Sequence, residues 1–174
     1  MESVTRALHS AAATTIVTTT IRIPRFLEGI CDNIVRYGHR NVSILVIGDE
    51  KTPHEAGKFC SELSEKSGVP IRYLDLPEQE ELLAEFPELV KLVPHNSGVR
   101  KLLGSFLAYL DGAETLIMVD DDNLATDIDF VGFHRVVGSA PKCAAISTET
   151  GWFNVYESIE EERSLPIFPR GYPW

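Results

Sequence analysis

Short apolar runs and longer amphipathic stretches alternate along the chain. Four runs are rich in β-branched or aliphatic residues, which favour strands: Thr14–Ile23, Val42–Ile47, Ile71–Leu74 and Leu116–Val119. The stretches between them repeat apolar residues at spacings of three and four, which predicts helices with one apolar face. Strands that alternate with helices pair in parallel. The pattern therefore predicts an α/β fold in which a mostly parallel sheet is flanked by helices.

Proline and glycine residues mark the ends of the predicted helices. These helices cover Arg25–Tyr37, Pro53–Lys66, two short pieces of Pro77–Val93 separated at Pro87, and Val99–Leu110. Val35 and Leu102 are among the apolar residues expected to face the sheet. After the fourth strand we expect a short helix or loop over Phe130–Val137 and a further strand over Ala144–Thr148.

The fourth apolar run leads directly into three carboxylates, Asp120, Asp121 and Asp122. A short apolar run predicts a strand buried on both faces, and unpaired charge is too costly to bury inside it. We therefore expect the triplet at the carboxyl edge of the sheet, where ligands bind in open α/β folds. Carboxylates held this close need a counter-charge, and their oxygens suit Mg²⁺ or Mn²⁺. A solvated acidic loop that caps a following helix is the alternative.

A basic pair, Arg100 and Lys101, falls in the first turn of the helix that precedes this strand, and Asn96 lies just ahead of it. The free N–H groups of a helix N-terminus are positive, so cations there strengthen a field that attracts anions. We expect these residues to contact a diphosphate. The alternative is a pair of surface side chains whose stems lie along the protein.

Further candidates lie at or after the ends of other strands. Thr19 and Arg22 belong to the end of the first strand, and Asp49 follows the second. Asp49 is expected either to accept hydrogen bonds from a ribose or base, or to serve as a turn residue. Glu149 is a candidate general base that would deprotonate an acceptor hydroxyl, with a surface carboxylate as the alternative.

Charge and cysteine content narrow the partners and the compartment. The net charge of -10 argues against a nucleic-acid duplex and against an anionic membrane, but not against a nucleotide ligand. The three cysteines form no disulfide or zinc pattern, and Cys31 and Cys60 are expected to be buried thiols on apolar helix faces. No secretory signal or membrane-spanning run is evident, so we expect a cytoplasmic protein.

The chain from Thr14 to Ser147 resembles the nucleotide-sugar-binding half of glycosyltransferases of the A-type fold, and is similar to the inverting cellulose- and chitin-synthase type. Three features carry the resemblance. They are the Thr-rich first strand, Gly48-Asp49 after the second strand, and Asn96-Ser-Gly-Val-Arg-Lys101 followed by the Asp triplet. The fold that the resemblance implies is Rossmann-like.

The resemblance also implies an activity, the metal-dependent transfer of a sugar from a UDP- or GDP-sugar to an acceptor hydroxyl. Asp120 and Asp122 match the D-x-D motif that holds Mg²⁺ or Mn²⁺, and Asp121 is assigned to the bound nucleotide sugar. Asp49 matches the acid that binds the base or ribose. The basic pair matches positions near the diphosphate.

In this scheme the single domain has a tail at 1–12, a nucleotide-binding half at 13–123 and an acceptor half at 124–174. The stretch after Asp122 is shorter than the family usually has. One alternative is therefore a non-catalytic nucleotide-sugar-binding subunit or a truncated domain. A homo-oligomer or a partner chain would then complete the acceptor site.

A second alternative comes from the end of the chain. Trp152-Phe-Asn and Phe168-Pro-Arg-Gly-Tyr-Pro173 are similar to a segment of the reversibly glycosylated polypeptides, which are UDP-arabinopyranose mutases. This resemblance implies a mutase that rearranges the sugar of the same kind of donor.

Overall fold

The computed structural model describes residues 13–140, 142, 147–151 and 153–154, and four parallel strands form its centre. The strands are β1 (Thr14–Thr19), β2 (Val42–Ile47), β3 (Ile71–Leu74) and β4 (Thr115–Val119). They pair in the order β3-β2-β1-β4, and each pairing is parallel. The predicted α/β fold with a parallel, Rossmann-like sheet is confirmed. β1 is shorter than predicted because the chain turns after Thr19, where the hydroxyl of Thr20 accepts a hydrogen bond from the Arg22 N–H at 3.0 Å.

Helices cover both faces of the sheet. They are α1 (Leu27–Arg36), α2 (Glu55–Ser67), α3 (Leu76–Leu82), α4 (Pro87–Leu92), α5 (Lys101–Leu110) and α6 (Phe130–Phe133), with 3-10 turns at Gly98–Arg100 and His134–Val136. Apolar residues of α1, α2 and α6 pack on one face, and those of α3, α4 and α5 pack on the other. The chain therefore returns from β3 to β4 across the face opposite to α1, and the strand order reverses at β1.

β4 corrects the prediction of a strand buried on both faces. Ile117 and Val119 are buried, but Leu116 is 39% exposed and Met118 is 52% exposed. Among the described residues β4 pairs with β1 alone and lies at the edge of the sheet. On this face α5 lies over the centre of the sheet, because a Cβ added at Gly104 would meet Val17 and Ile47 of β1 and β2. Leu116 and Met118 therefore stay partly exposed on this face.

Two further assignments to the core are wrong for the same reason. Val35 is 56% exposed on α1 and Leu102 is 50% exposed on α5. Helical spacing identifies an apolar stripe, but the width of the stripe that is covered depends on which strands the helix overlies. Cys31 and Cys60 are buried as predicted, and burial raises the pKa of their thiols to about 11 and about 12. Both are therefore inert as nucleophiles at neutral pH.

The chain divides into two compact units, Met1–Ser139 and Ala140–Trp174, and the sheet belongs to the first. The expected tail at 1–12, most of the expected strand at Ala144–Thr148, and Trp152 lie outside the described residues. Of the helices that are described, none combines the length and apolarity needed to cross a membrane.

The close approach of α5 to the sheet gives a prediction about Gly104. A Cβ there would lie 2.7 Å from side-chain atoms of both Val17 and Ile47. We expect Gly104→Ala to destabilise the fold by about 1–3 kcal/mol through overpacking. Gly29→Ala on α1 is the matched control, because its Cβ would have only Ala125 at 4.0 Å and should stabilise by about 0.5–1 kcal/mol. Urea denaturation measures both, and equal shifts would contradict the tight packing at Gly104.

A second prediction concerns pH. His39 Nε2 lies 2.6 Å from Asp129 Oδ1, and the Gly132 N–H donates to the same oxygen at 2.8 Å. These hydrogen bonds, that of His39 foremost, hold the pKa of Asp129 below its ordinary value of about 4. The carboxylate stabilises the fold above that ordinary value, and its contribution is lost as pH falls through the lowered pKa. We expect Asp129→Asn to melt below wild type at neutral pH, with the gap closing in strong acid. A gap that does not depend on pH would contradict this.

Candidate functional site

The candidate site lies at the carboxyl edge of the sheet, where β1, β2 and β4 end. One connection, His95–Lys101, runs from α4 into α5 and contacts the residues that follow two of these strands. We call it the crossover segment. It contains three of the residues singled out from the sequence, namely Asn96, Arg100 and Lys101.

Asp49 fixes the crossover segment to the end of β2. Its carboxylate is 2% exposed and accepts hydrogen bonds from the Glu50 N–H at 2.8 Å and from the Ser97 N–H at 3.2 Å. Asn96, in the left-handed region at φ 53°, donates to Glu50 Oε2 at 2.6 Å. Asp49 therefore lies in the turn after β2, where two backbone N–H groups hold its carboxylate, and its contact with a ribose or base stays a prediction.

Arg100 belongs to the crossover segment, and it is buried, with an exposed fraction of 1%. Its Nη2 donates to Gln79 Oε1 at 2.6 Å, and its Nε lies 4.0 Å from Asp49 Oδ1. Gln79 in turn donates to two carbonyls, that of Gly48, which follows β2, and that of Leu74, which ends β3. Within the part of the chain that the structure describes, Nε and Nη1 of Arg100 are buried without a hydrogen-bond partner. Arg100 is therefore not the surface side chain of the sequence-based alternative, and its contact with a diphosphate stays a prediction.

Lys101 forms an ion pair with Asp120, between the Nζ atom and Oδ1. Lys101 is the first residue of α5, and Asp120 is the first residue after β4. The lysine side chain is 19% exposed and the carboxylate is 63% exposed. The structure thus brings together a residue predicted to bind diphosphate and a residue predicted to bind metal.

The other two carboxylates of the triplet have different surroundings. Asp121 accepts a hydrogen bond from the Thr20 hydroxyl at 3.1 Å, which links β4 to the end of β1. Asp122 is exposed. Asn123 closes the turn, because its side chain accepts from the Asp120 N–H at 2.9 Å. The helix cap of the alternative is not formed by the described residues, since the chain after Asn123 is irregular until Phe130.

The remaining candidates are placed as follows. Thr19 donates its hydroxyl hydrogen to the Ile47 carbonyl at 2.8 Å, so it ties β1 to β2. Arg22 is exposed in the turn after β1. Glu149 is exposed in a turn of the second unit, where the Gly151 N–H donates to the Thr148 carbonyl at 3.3 Å.

Sequence reasoning missed Gln79, which joins the crossover segment to the sheet. It is fully buried within an acidic stretch. One signal was present, because Gln79 lies three and four residues before Leu82 and Leu83 and so shares their buried face. Ser97 was also missed, since its contact with Asp49 is made by the backbone, which sequence does not distinguish.

The oxygen atoms at the triplet are of the type that binds a hard divalent cation. The carboxylates of Asp120 and Asp122 and the hydroxyl of Thr20 are oxygen ligands, which Mg²⁺ and Mn²⁺ prefer. Across the part of the chain that is described, no group of three or more His, Cys, Asp or Glu side chains is placed to hold a metal ion. Mg²⁺ is commonly held by only one or two carboxylates, with phosphate oxygens and water as the other ligands. The donor set therefore fits such a cation in its chemistry, and metal binding stays a prediction.

The buried charge of Arg100 gives a prediction about Asp49. Asp49→Asn keeps the shape of the side chain but leaves the guanidinium without its nearby carboxylate. We expect a loss of about 3 kcal/mol in the free energy of unfolding, measured by urea denaturation. Glu50→Gln is the neighbouring control, because the Glu50 side chain is 52% exposed and should change stability by less than about 0.5 kcal/mol. Equal stability of the two variants would contradict the role of Asp49.

Two comparisons with known proteins found no match. No protein-family model matches the chain, and no curated protein matches it either. The function is therefore inferred from the residues at the carboxyl edge and from the motif resemblance.

Proposed function

We propose that the chain binds a nucleoside-diphosphate sugar at the carboxyl edge of β1 and β4 and transfers the sugar to an acceptor hydroxyl. The observation that supports this most directly is the meeting of Lys101, Thr20 and the Asp triplet at one edge. The strand order reverses at β1, and open α/β sheets bind their ligands outside the carboxyl ends of the strands at such a point. The same residues carry the resemblance to glycosyltransferases of the A-type fold.

In this proposal Asp120 and Asp122 would hold Mg²⁺ or Mn²⁺, which supplies Lewis-acid neutralisation of the diphosphate leaving group. Lys101 and the N-terminus of α5 add positive charge on the same side. Thr20 orients Asp121 through their hydrogen bond. The charged groups proposed to contact the phosphates therefore follow β4 or begin α5, and Thr20, which follows β1, holds one of the carboxylates in place.

The nucleoside would lie toward β2. Asp49 is the candidate acceptor for the hydroxyls of a ribose or the N–H of a base, as the motif resemblance implies. Asn96 lies close by in the crossover segment, where its side chain donates to Glu50 Oε2 at 2.6 Å. Because Asp49 is held on both oxygens by backbone N–H groups, its carboxylate is oriented before a ligand arrives.

The proposed transfer is a substitution at the anomeric carbon of the donor sugar. The acceptor oxygen forms a bond to that carbon, the bond from the carbon to the diphosphate oxygen breaks, and the nucleoside diphosphate leaves. The hydroxyl proton passes to a general base.

Calorimetric titration tests the proposal. Wild type is titrated with UDP and then GDP, with and without Mn²⁺, and we expect metal-dependent binding of one nucleotide. Changing both Asp120 and Asp122 to Ala should abolish that binding. The charge-matched control changes Glu62 and Glu88 to Ala, since both are exposed acids on helices.

Two results would count against the proposal. Unchanged nucleotide affinity in the Asp120 and Asp122 variant would remove the metal site. A folded wild-type protein that binds neither nucleotide would contradict nucleotide-sugar binding by this chain alone and would leave the truncated-domain alternative.

A further inference from the structure

The Lys101–Asp120 ion pair lies on a carboxylate that the proposed cation would share. Asp120 Oδ1 is the contact atom of the lysine. A divalent cation bound there would lie against the ammonium group, and two cations so close together repel each other. The ammonium group and the cation therefore compete for the Asp120 carboxylate.

We propose that Lys101 is an exchangeable counter-ion, which neutralises Asp120 before the metal binds and moves to the diphosphate afterwards. This inference rests on the proposed function. The ammonium group begins next to the triplet, so reaching a diphosphate bound there requires rotation of the side chain and no movement of α5. The carboxylate is 63% exposed and so is accessible to an incoming cation.

The position of Lys101 keeps its ion pair weak enough for a cation to replace it. Lys101 begins α5, where the helix dipole disfavours a cation, so Asp120 provides the attraction that holds the ammonium group in place. An ion pair of this exposure changes an equilibrium constant by about two- to fivefold. A divalent cation that also reaches Asp122 competes readily with an interaction of that strength.

One substitution should then have opposite effects on two ligands. In Lys101→Met the apolar stem is kept and the charge is lost. We expect Mn²⁺ alone to bind about two- to fivefold more tightly than to wild type, since no ammonium group competes. The affinity for UDP, measured at saturating Mn²⁺, should fall by a similar factor of about two to five, because the diphosphate loses its cation.

Electron paramagnetic resonance of free Mn²⁺ measures the first affinity, and calorimetry measures the second. Lys91→Met is the matched control, because Lys91 pairs with Glu88 at 3.1 Å on α4, away from the strand ends. It should change neither value. Tighter Mn²⁺ binding and weaker UDP binding in Lys101→Met alone would support the exchange.

Other outcomes separate this inference from the proposed function. Metal-dependent UDP binding by wild type, with Mn²⁺ affinity unchanged or lowered in Lys101→Met, overturns the exchange and leaves the proposed function standing. UDP binding that does not depend on Mn²⁺, or on Asp120 and Asp122, overturns both. Failure of wild type and Lys101→Met to bind Mn²⁺ also overturns the exchange.

Discussion

The buried pairing of Asp49 with the crossover segment determines the arrangement of the carboxyl edge. Asp49 accepts from the backbone of Ser97 and lies near the guanidinium of Arg100. Gln79 extends the contact to the carbonyls that follow β2 and end β3. Lys101 is the next residue after Arg100, so fixing the guanidinium also fixes where α5 begins. A charge buried at the end of β2 thereby sets the position of an ammonium group at the end of β4.

Burying this arrangement costs folding free energy, chiefly through desolvation of the Arg100 guanidinium. A guanidinium has five N–H donors, and Nε and Nη1 have no hydrogen-bond partner among the described residues. Buried donors without such partners are uncommon in proteins, so the attraction of the nearby Asp49 carboxylate offsets the cost of burying Arg100 only in part.

Much of the fold follows from local sequence. Strand and helix positions depend on spacing within ten or fifteen residues, and the parallel sheet depends only on their alternation. The meeting of Lys101 and Asp120 also follows, because a helix that precedes a parallel strand begins at the edge where that strand ends. Other features depend on distant partners. The exposure of Met118 depends on which strands α5 overlies, and the burial of Arg100 depends on a glutamine from another helix.

The three carboxylates of the triplet show how far a motif can be interpreted from sequence. They are adjacent in the chain, yet Asp120 pairs with Lys101, Asp121 accepts from Thr20, and Asp122 faces solvent. Repulsion among the three is reduced because two of them have partners from different elements. A cation would therefore meet one compensated carboxylate and one exposed carboxylate, and not three equivalent ligands. By this argument the ion pair with Lys101 would change the affinity for a cation by only about two- to fivefold, a smaller effect than that expected for loss of the two carboxylates.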